Sequence, residues 1–183
     1  TSCFAQAIHN AGVPKGLVNI VTGYGVEAGA ALTSHDDVAQ ITFTGSVKTG
    51  KTILHAAAER AVPAVVELGG KSALLVFDDC NFDLAVQTAL DANFYTAGEV
   101  CSNATRVFVQ RSIADKFIAA MVKKAENMVV GDPMAADVQM GALISAAHLS
   151  KVLDYVQIGV SEGAKIATGG IQIYPQGCEN GNF

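Results

Sequence analysis

The chain has 183 residues, of which half are hydrophobic and 16% are charged, and its formal net charge is −5. This composition is typical of a well-packed globular protein and excludes a disordered chain. The negative charge argues against a broad surface for nucleic acids or anionic membranes. No apolar run reaches the length of a membrane-spanning helix, and the first residues lack the basic region of a signal peptide.

Segments with strand-like and helix-like patterns alternate along the chain. This alternation predicts an α/β fold with a parallel sheet that carries helices on its faces. The predicted segments, in chain order, are a helix over 1–11, a strand over 16–21, a glycine loop and short helix over 22–35, a strand over 39–43, a helix over 46–60, strands over 63–68 and 73–77, a helix over 81–97, a strand over 105–110, helices over 112–128 and 145–162, and a strand over 164–168.

The pair Gly69-Gly70 interrupts this pattern, which then restarts. We therefore predict a domain boundary there, with domains over 1–69 and 70–183. The first residues, TSCFAQAIHNAG, have the pattern of the middle of an amphipathic helix. The last residues, GCENGNF, end abruptly. Both ends indicate a segment of a longer polypeptide.

Residues 45–52 match G-x-x-x-x-G-K-T, the phosphate-binding loop of ATP and GTP hydrolases. The acidic pair Asp78-Asp79, after the strand 73–77, suits a residue that would help to hold magnesium. In this hypothesis Lys51 wraps a phosphate. In the alternative hypothesis, Ser46 is the N-cap of a helix that begins well before Lys51. Lys51 is then solvated, and the acidic pair caps the next helix.

Cys101 lies in a loop of small and polar residues between a predicted helix and a strand, where nucleophiles are often found. Glu67 ends an apolar strand beside two glycines, at the edge where open α/β sheets bind ligands. A partly desolvated carboxylate there suits a general base. For each residue alone, a structural role is the default: a small buried thiol, or a capping or salt-bridged carboxylate.

The remaining cysteines and the histidines lack the spacing of metal ligands, so no metal site is expected. The four cysteines include no C-x-x-C pair. Their distribution suggests a reducing, cytoplasmic setting.

Three motifs occur in order: FTGS…TG over 43–50, ELGGKS over 67–72 and GEVCSN over 98–103. Together they strongly resemble the aldehyde dehydrogenase family, and the segment NIVTGYGVEAGAAL over 19–32 resembles its adenosine-side glycine loop. The likeness runs along essentially the whole chain. It implies a Rossmann-like parallel sheet from the cofactor domain, followed by part of a second α/β catalytic domain.

The resemblance implies that Cys101 is the nucleophile and Glu67 the general base of an NAD-dependent aldehyde oxidation, with NADP as the alternative cofactor. The backbone N–H of Cys101 would supply part of the oxyanion hole. Leu68 and Gly69 would lie against the nicotinamide, and Gly23 and Gly29 would flank the adenosine. The residues implied for the pyrophosphate region are Gly45, Ser46, Val47, Lys48, Thr49 and Gly50. In this interpretation the match to the ATPase loop is fortuitous.

Family members are much longer, so we expect no turnover by these 183 residues alone. The resemblance also implies that the full-length protein is a homo-oligomer, either a dimer or a tetramer. Ala73 and Ala142 stand where the family usually has proline. The segment NFYTAGEVCSNATRVFVQ over 93–110 resembles the betaine aldehyde branch, which implies that small aldehyde as substrate; Phe94 and Tyr95 are the local aromatic residues. A non-catalytic relative is the third hypothesis, and the presence of both Cys101 and Glu67 counts against it.

Overall fold

The computed structural model describes all residues, Thr1–Phe183, which form two compact units, Thr1–Leu68 and Gly69–Phe183. Both sheets are parallel and lie among helices, in agreement with the predicted α/β class. The elements are α1 Ser2–Asn10, α2 Ala30–Ser34, β1 Ile41–Gly45, α3 Val47–Glu59, β2 Ala64–Leu68, β3 Ala73–Val76, α4 Phe82–Phe94, β4 Arg106–Val109, α5 Ala114–Glu126 and α6 Ala146–Ser161. None of the helices combines the length and the apolar character needed to cross a membrane.

The first unit is built on the parallel pair β1 and β2, which runs in register from Ile41 beside Ala64 to Gly45 beside Leu68. Ile41 of β1 is buried against Ile53 and Ala57, which lie one helical turn apart on α3. These side chains form the small core of the unit because one face of the strand pair and one stripe of the helix are apolar. A π-helical turn over Gly25–Gly29 leads into α2.

The second unit pairs β3 with β4, again in parallel, from Ala73 beside Arg106 to Val76 beside Val109. Its core joins Val76 to Val86 and Ala89 of α4 and to Phe117 of α5. The Phe117 ring meets the edge of the Phe82 ring at a centroid distance of 6.1 Å. Near the end of the chain, the Gly177 backbone N–H donates to Glu179 and lowers the pKa of that carboxyl group.

The predicted strand over 16–21 is absent. The Leu17 N–H donates to the Pro14 carbonyl at 3.2 Å, and the Asn19 side chain donates to the Gly16 carbonyl at 2.9 Å. Gly16 has a φ of 85°. This segment therefore follows the turn chemistry of Pro, Gly and Asn, and β1 and β2 pair only with each other. Its apolar side chains are exposed, Leu17 by 72%.

Two further predictions are wrong. Residues 164–168 form no strand, and β3 and β4 pair only with each other. The acidic pair does not cap α4, since Asn81 accepts the Leu84 N–H at 3.2 Å. Asp78 instead receives hydrogen bonds from Gln110 at 2.6 Å and from Ser112 at 3.0 Å. Asn81 was not considered as the cap, although asparagine is among the preferred N-cap residues.

Three helices end in the same hydrogen-bond pattern with different residues. After α1 and α6 the left-handed position is held by Gly12 and Gly163, with φ of 70° and 96°. After α3 it is held by Ala61, with φ of 52°. The Ala61 N–H donates to the Ala58 carbonyl and the Val62 N–H to the Ala57 carbonyl, which is the Schellman arrangement that favours glycine.

Ala61→Gly should therefore stabilise the first unit by about 0.5 to 1 kcal/mol, because the relief of left-handed strain exceeds the added entropy of the unfolded chain. Urea unfolding followed by circular dichroism measures the change. Gly163→Ala is the reverse control: it adds strain without a steric clash, since nothing lies within 4 Å of its Cβ position. It should lower stability. Equal or lower stability of Ala61→Gly would contradict this account.

Candidate active site

The carboxyl edge of the β1 and β2 pair carries most of the predicted cofactor residues. Gly45 ends β1 beside Leu68, which ends β2. Ser46 follows as the N-cap of α3, and its hydroxyl accepts the Thr49 N–H at 3.1 Å. The predicted cap is confirmed. The arrangement places free backbone N–H groups and a helix N-terminus at this edge, a setting suited to an anionic group.

The phosphate-binding loop of ATP and GTP hydrolases is excluded by the same geometry. In that loop the helix begins at the Gly-Lys pair, after the loop has wrapped the phosphate. Here α3 begins at Val47. Gly50 is buried inside the helix, and Lys51 is exposed in its second turn. No loop remains between Gly45 and Lys51 to surround a phosphate.

Gly50 sets how closely α3 approaches β2. A Cβ at this position would lie 2.5 Å from Cδ2 and 3.3 Å from Cγ of Leu68. The absence of a side chain therefore lets the first turns of α3 pack directly on the end of the strand that carries Glu67. Gly50 therefore has a packing role in the first unit, whether or not it also contacts the cofactor as predicted.

A cavity of about 1000 Å³ lies within the first unit, beside the first turns of α3. Of the predicted cofactor residues, Gly29, Lys48 and Thr49 line it. Tyr24, Gln40 and Thr52 also line it and were missed, since nothing in the sequence indicates that they face a common space. The predicted residues outside its lining are Gly23, Gly45, Ser46, Val47, Gly50, Leu68 and Gly69.

One arginine holds the segment that closes this cavity. The Arg60 guanidinium, at the end of α3, donates to the Thr33 carbonyl at 2.9 Å and to the Asp36 carbonyl at 3.2 Å. It also donates to the Val38 carbonyl. These bonds fix the connection from α2 to β1, so the cavity wall formed by α2 keeps its place beside α3.

Glu67 and the two glycines that follow Leu68 are exposed to solvent. Glu67 is exposed on β2, beside Thr44 of β1. Its carboxylate has no hydrogen-bond or ion-pair partner and is open to solvent. Gly69 has open space around its Cβ position. Glu67 belongs to the first unit and Cys101 to the second.

The Cys101 loop follows an unusual reversal of the chain. Thr96, Ala97 and Gly98 all have positive φ, at 52°, 52° and 76°. Two of them carry side chains, which makes the conformation strained, and such strain is concentrated at functional sites. Cys101 comes next, exposed and not bound in a disulfide. Its backbone N–H has no acceptor.

Two polar residues close to Cys101 were missed by sequence reasoning. Asn103 is only 6% exposed, and its Nδ2 group has no hydrogen-bond partner. Glu99 Oε1 lies 3.3 Å from Nε2 of His148 on α6. Asparagine and glutamate in a loop ordinarily indicate a turn or a solvated surface, so the sequence offered no signal for the burial of Asn103 or for the contact of Glu99 with His148.

The whole chain, residues 1–183, matches a sequence model described as "Aldehyde dehydrogenase family". The chain therefore belongs to the aldehyde dehydrogenase family, and the predicted resemblance is confirmed. No group of three or more histidine, cysteine, aspartate or glutamate side chains is arranged to hold a metal ion.

Two individual proteins of the family are similar to almost the whole of this chain. The betaine aldehyde dehydrogenase of Vibrio vulnificus is 44% identical over 179 residues, which cover 98% of this chain and 37% of that protein. The 4-trimethylaminobutyraldehyde dehydrogenase of Mus musculus is 48% identical over 172 residues, 94% of this chain and 35% of that protein. This chain therefore spans little more than a third of their length.

Solved structures agree with this assignment. The betaine aldehyde dehydrogenase of Staphylococcus aureus, crystallised in complex with NAD+, matches with a TM-score of 0.93 at 37% identity, over 98% of this chain and 35% of that one. An aldehyde dehydrogenase from Bacillus cereus, also an NAD+ complex, matches with a TM-score of 0.92 at 38% identity. The arrangement of helices and strands described above is that of the family.

Gly50→Ala should lower the free energy of unfolding by about 1 to 3 kcal/mol, because its Cβ would overlap the Leu68 side chain. Urea unfolding with a circular dichroism signal tests this. Gly29→Ala is the matched control, since nothing lies within 4 Å of its Cβ position. It should leave stability unchanged or raise it slightly. Equal stability of the two variants would show that the helix is not held at the distance described.

Proposed function

We propose that the protein containing this chain oxidises an aldehyde to a carboxylic acid with NAD+, and that Cys101 is the nucleophile. The observation that carries the proposal is the Cys101 loop. It presents an exposed thiol and an unpaired backbone N–H directly after a strained reversal. A thiol that attacks a carbonyl needs access to substrate and a donor for the oxyanion that develops, and this loop offers both.

In the first step the Cys101 thiolate attacks the carbonyl carbon of the aldehyde. A C–S bond forms, and the carbonyl electron pair moves to oxygen, giving a tetrahedral oxyanion that the Cys101 N–H stabilises. As the C=O bond re-forms, the carbon loses hydride, with its electron pair, and a thioester remains on Cys101. NAD+, when bound, supplies the hydride acceptor.

Glu67 would act in the second step. Its carboxylate takes a proton from water, and the oxygen attacks the thioester carbon. The C–S bond then breaks, the thiolate leaves, and the carboxylic acid is released. The exposure of the Glu67 carboxylate and its lack of a partner support this role, because water can reach its oxygens.

The first unit has features that fit NAD+. The N-terminus of α3, capped by Ser46, suits the pyrophosphate. The cavity beside it is large enough for an adenosine and includes the cation of Lys48. Leu68 and Gly69 remain the proposed contacts of the nicotinamide end, and Gly23 and Gly29 those of the adenosine. We propose NAD+ rather than NADP+ because the solved relatives named above were crystallised with NAD+.

For the substrate we propose betaine aldehyde or a related aldehyde with a trimethylammonium group. The names of the relatives in Vibrio vulnificus and Mus musculus indicate aldehydes of this kind. Tyr95 supports the proposal, because its ring is 71% exposed only six residues before Cys101. An exposed aromatic ring can bind a quaternary ammonium cation. Phe94 instead lines an apolar cavity of the second unit.

We also propose that the enzyme works as a homo-oligomer in the cytoplasm. All four cysteines are free, which suits a reducing compartment. Large apolar side chains are exposed on both units, among them Val26 and Ile144. Apolar surface of this extent is normally covered by further protein.

Cys101→Ser should lower aldehyde-dependent NADH formation by about a thousandfold or more. Glu67→Gln should preserve a burst of one NADH per site and slow the steady rate by about a hundredfold, because only thioester hydrolysis loses its base. Stopped-flow NADH absorbance with betaine aldehyde and with an alkyl aldehyde measures both. Cys3→Ser and Glu59→Gln, which alter exposed residues of the first unit, are the matched controls. A wild-type rate in Cys101→Ser would sink the proposal.

Ser46→Ala should weaken NAD+ binding by about tenfold, because it removes a hydroxyl and loosens the first turn of α3. Lys51→Ala should leave the affinity within about twofold. Isothermal titration calorimetry measures both values. Ser145→Ala, which removes the serine cap of α6, controls for the loss of a cap elsewhere. Loss of binding in Lys51→Ala with none in Ser46→Ala would restore the phosphate-loop hypothesis.

A further inference from the structure

Within the second unit, the segment Gly70–Ser72 touches the Cys101 loop at two points. At the first point, the Cys101 carbonyl oxygen lies 3.3 Å from the Cβ position of Gly70. A side chain at position 70 would push this oxygen away by a few tenths of an ångström. At the second point, Arg106 reaches back from the start of β4 to the same segment.

Arg106 holds the segment through both its side chain and its backbone. The guanidinium donates to the Lys71 carbonyl from Nε at 2.8 Å and also from Nη2. The Arg106 backbone N–H donates to the Ser72 carbonyl at 3.2 Å. Hydrogen bonds from a charged donor are stronger than neutral ones, and the planar guanidinium fixes direction as well as distance.

The loop between these two points is poorly stabilised by its own contacts. The Asn103 N–H donates to the Val100 carbonyl at 3.1 Å, and the Thr105 N–H donates to the Asn103 carbonyl at 2.9 Å. Two features of this region destabilise it: the Nδ2 group of Asn103 is buried without a hydrogen-bond partner, and Thr96 and Ala97 have left-handed backbone conformations. An unpaired buried donor and strained backbone both cost free energy, so the loop needs an anchor outside itself.

We propose that Arg106 is that anchor, a positioning residue that keeps the Cys101 carbonyl against Gly70 and so fixes the direction of the Cys101 thiol and N–H. The proposal rests on the proposed role of Cys101 as nucleophile. Arg106 need not touch the aldehyde or NAD+. It acts through the Lys71 carbonyl and the first rung of the β3 and β4 ladder.

Arg106→Gln keeps much of the side-chain length but loses the positive charge and the paired guanidinium donors. The Cys101 loop should therefore open more often. Hydrogen exchange at the Asn103 and Thr105 amides should accelerate by about tenfold. Alkylation of Cys101 by iodoacetamide, read by peptide mass spectrometry with Cys3 as internal reference, should change by at least about threefold. Arg106→Lys, which retains a charged donor, should restore part of both values.

Arg111→Ala is the matched control, because Arg111 is exposed just after β4 and donates no side-chain hydrogen bond. It should behave as wild type. In the NADH assay Arg106→Gln should lower kcat while the KM for NAD+ stays unchanged, a split that general destabilisation would not produce. If Arg106→Gln fails to fold, the comparison of Arg106→Lys with wild type decides, with intermediate exchange expected.

Exchange and alkylation in the Arg106 variants within about twofold of wild type and of Arg111→Ala would overturn the proposal. This failure is separate from failure of the proposed function. Loop opening and thiol alkylation need no turnover, so they report on Arg106 even if Cys101→Ser keeps its dehydrogenase rate.

Discussion

The close contact between Gly50 of α3 and Leu68 of β2 is the constraint on which the first unit depends. It brings the helix onto the end of the strand pair, so that the Ser46 cap, Gly45 and the strand that carries Glu67 share one edge. The second unit uses glycine in the same way, since Gly70 admits the Cys101 carbonyl. In both units a missing side chain sets the position of a chemically important neighbour.

The parts that were predictable from sequence have strong local signals. The helix over 46–60, its Ser46 cap and the strand over 63–68 followed from apolar periodicity and cap chemistry. The predicted strand over 16–21 failed because local turn hydrogen bonds override an apolar run, and the predicted strand over 164–168 pairs with neither β3 nor β4. The contacts of Arg106 with Lys71 and Ser72 were not predictable from sequence, because they join positions that only the fold brings together.

The sequence 45–52 shows why a short motif must be read in its structural context. Every residue of the ATPase signature is present, yet α3 begins four residues before Lys51 and leaves no loop to hold a phosphate. The three motifs that identified the family are individually weaker but occur in a fixed order along the chain. Family membership then defines a class of chemistry, while the roles proposed for Cys101 and Glu67 are argued from the geometry of each unit.

The central claim is that the aldehyde carbon becomes bonded to Cys101. The most direct test is to mix the Glu67→Gln protein with NAD+ and betaine aldehyde, quench it in acid and map the peptides by mass spectrometry. The account predicts an acyl adduct on the peptide that contains Cys101, because thioester hydrolysis is slowed, and unmodified Cys3, Cys80 and Cys178. Formation of NADH with no adduct on Cys101, or with the adduct on another residue, would contradict it.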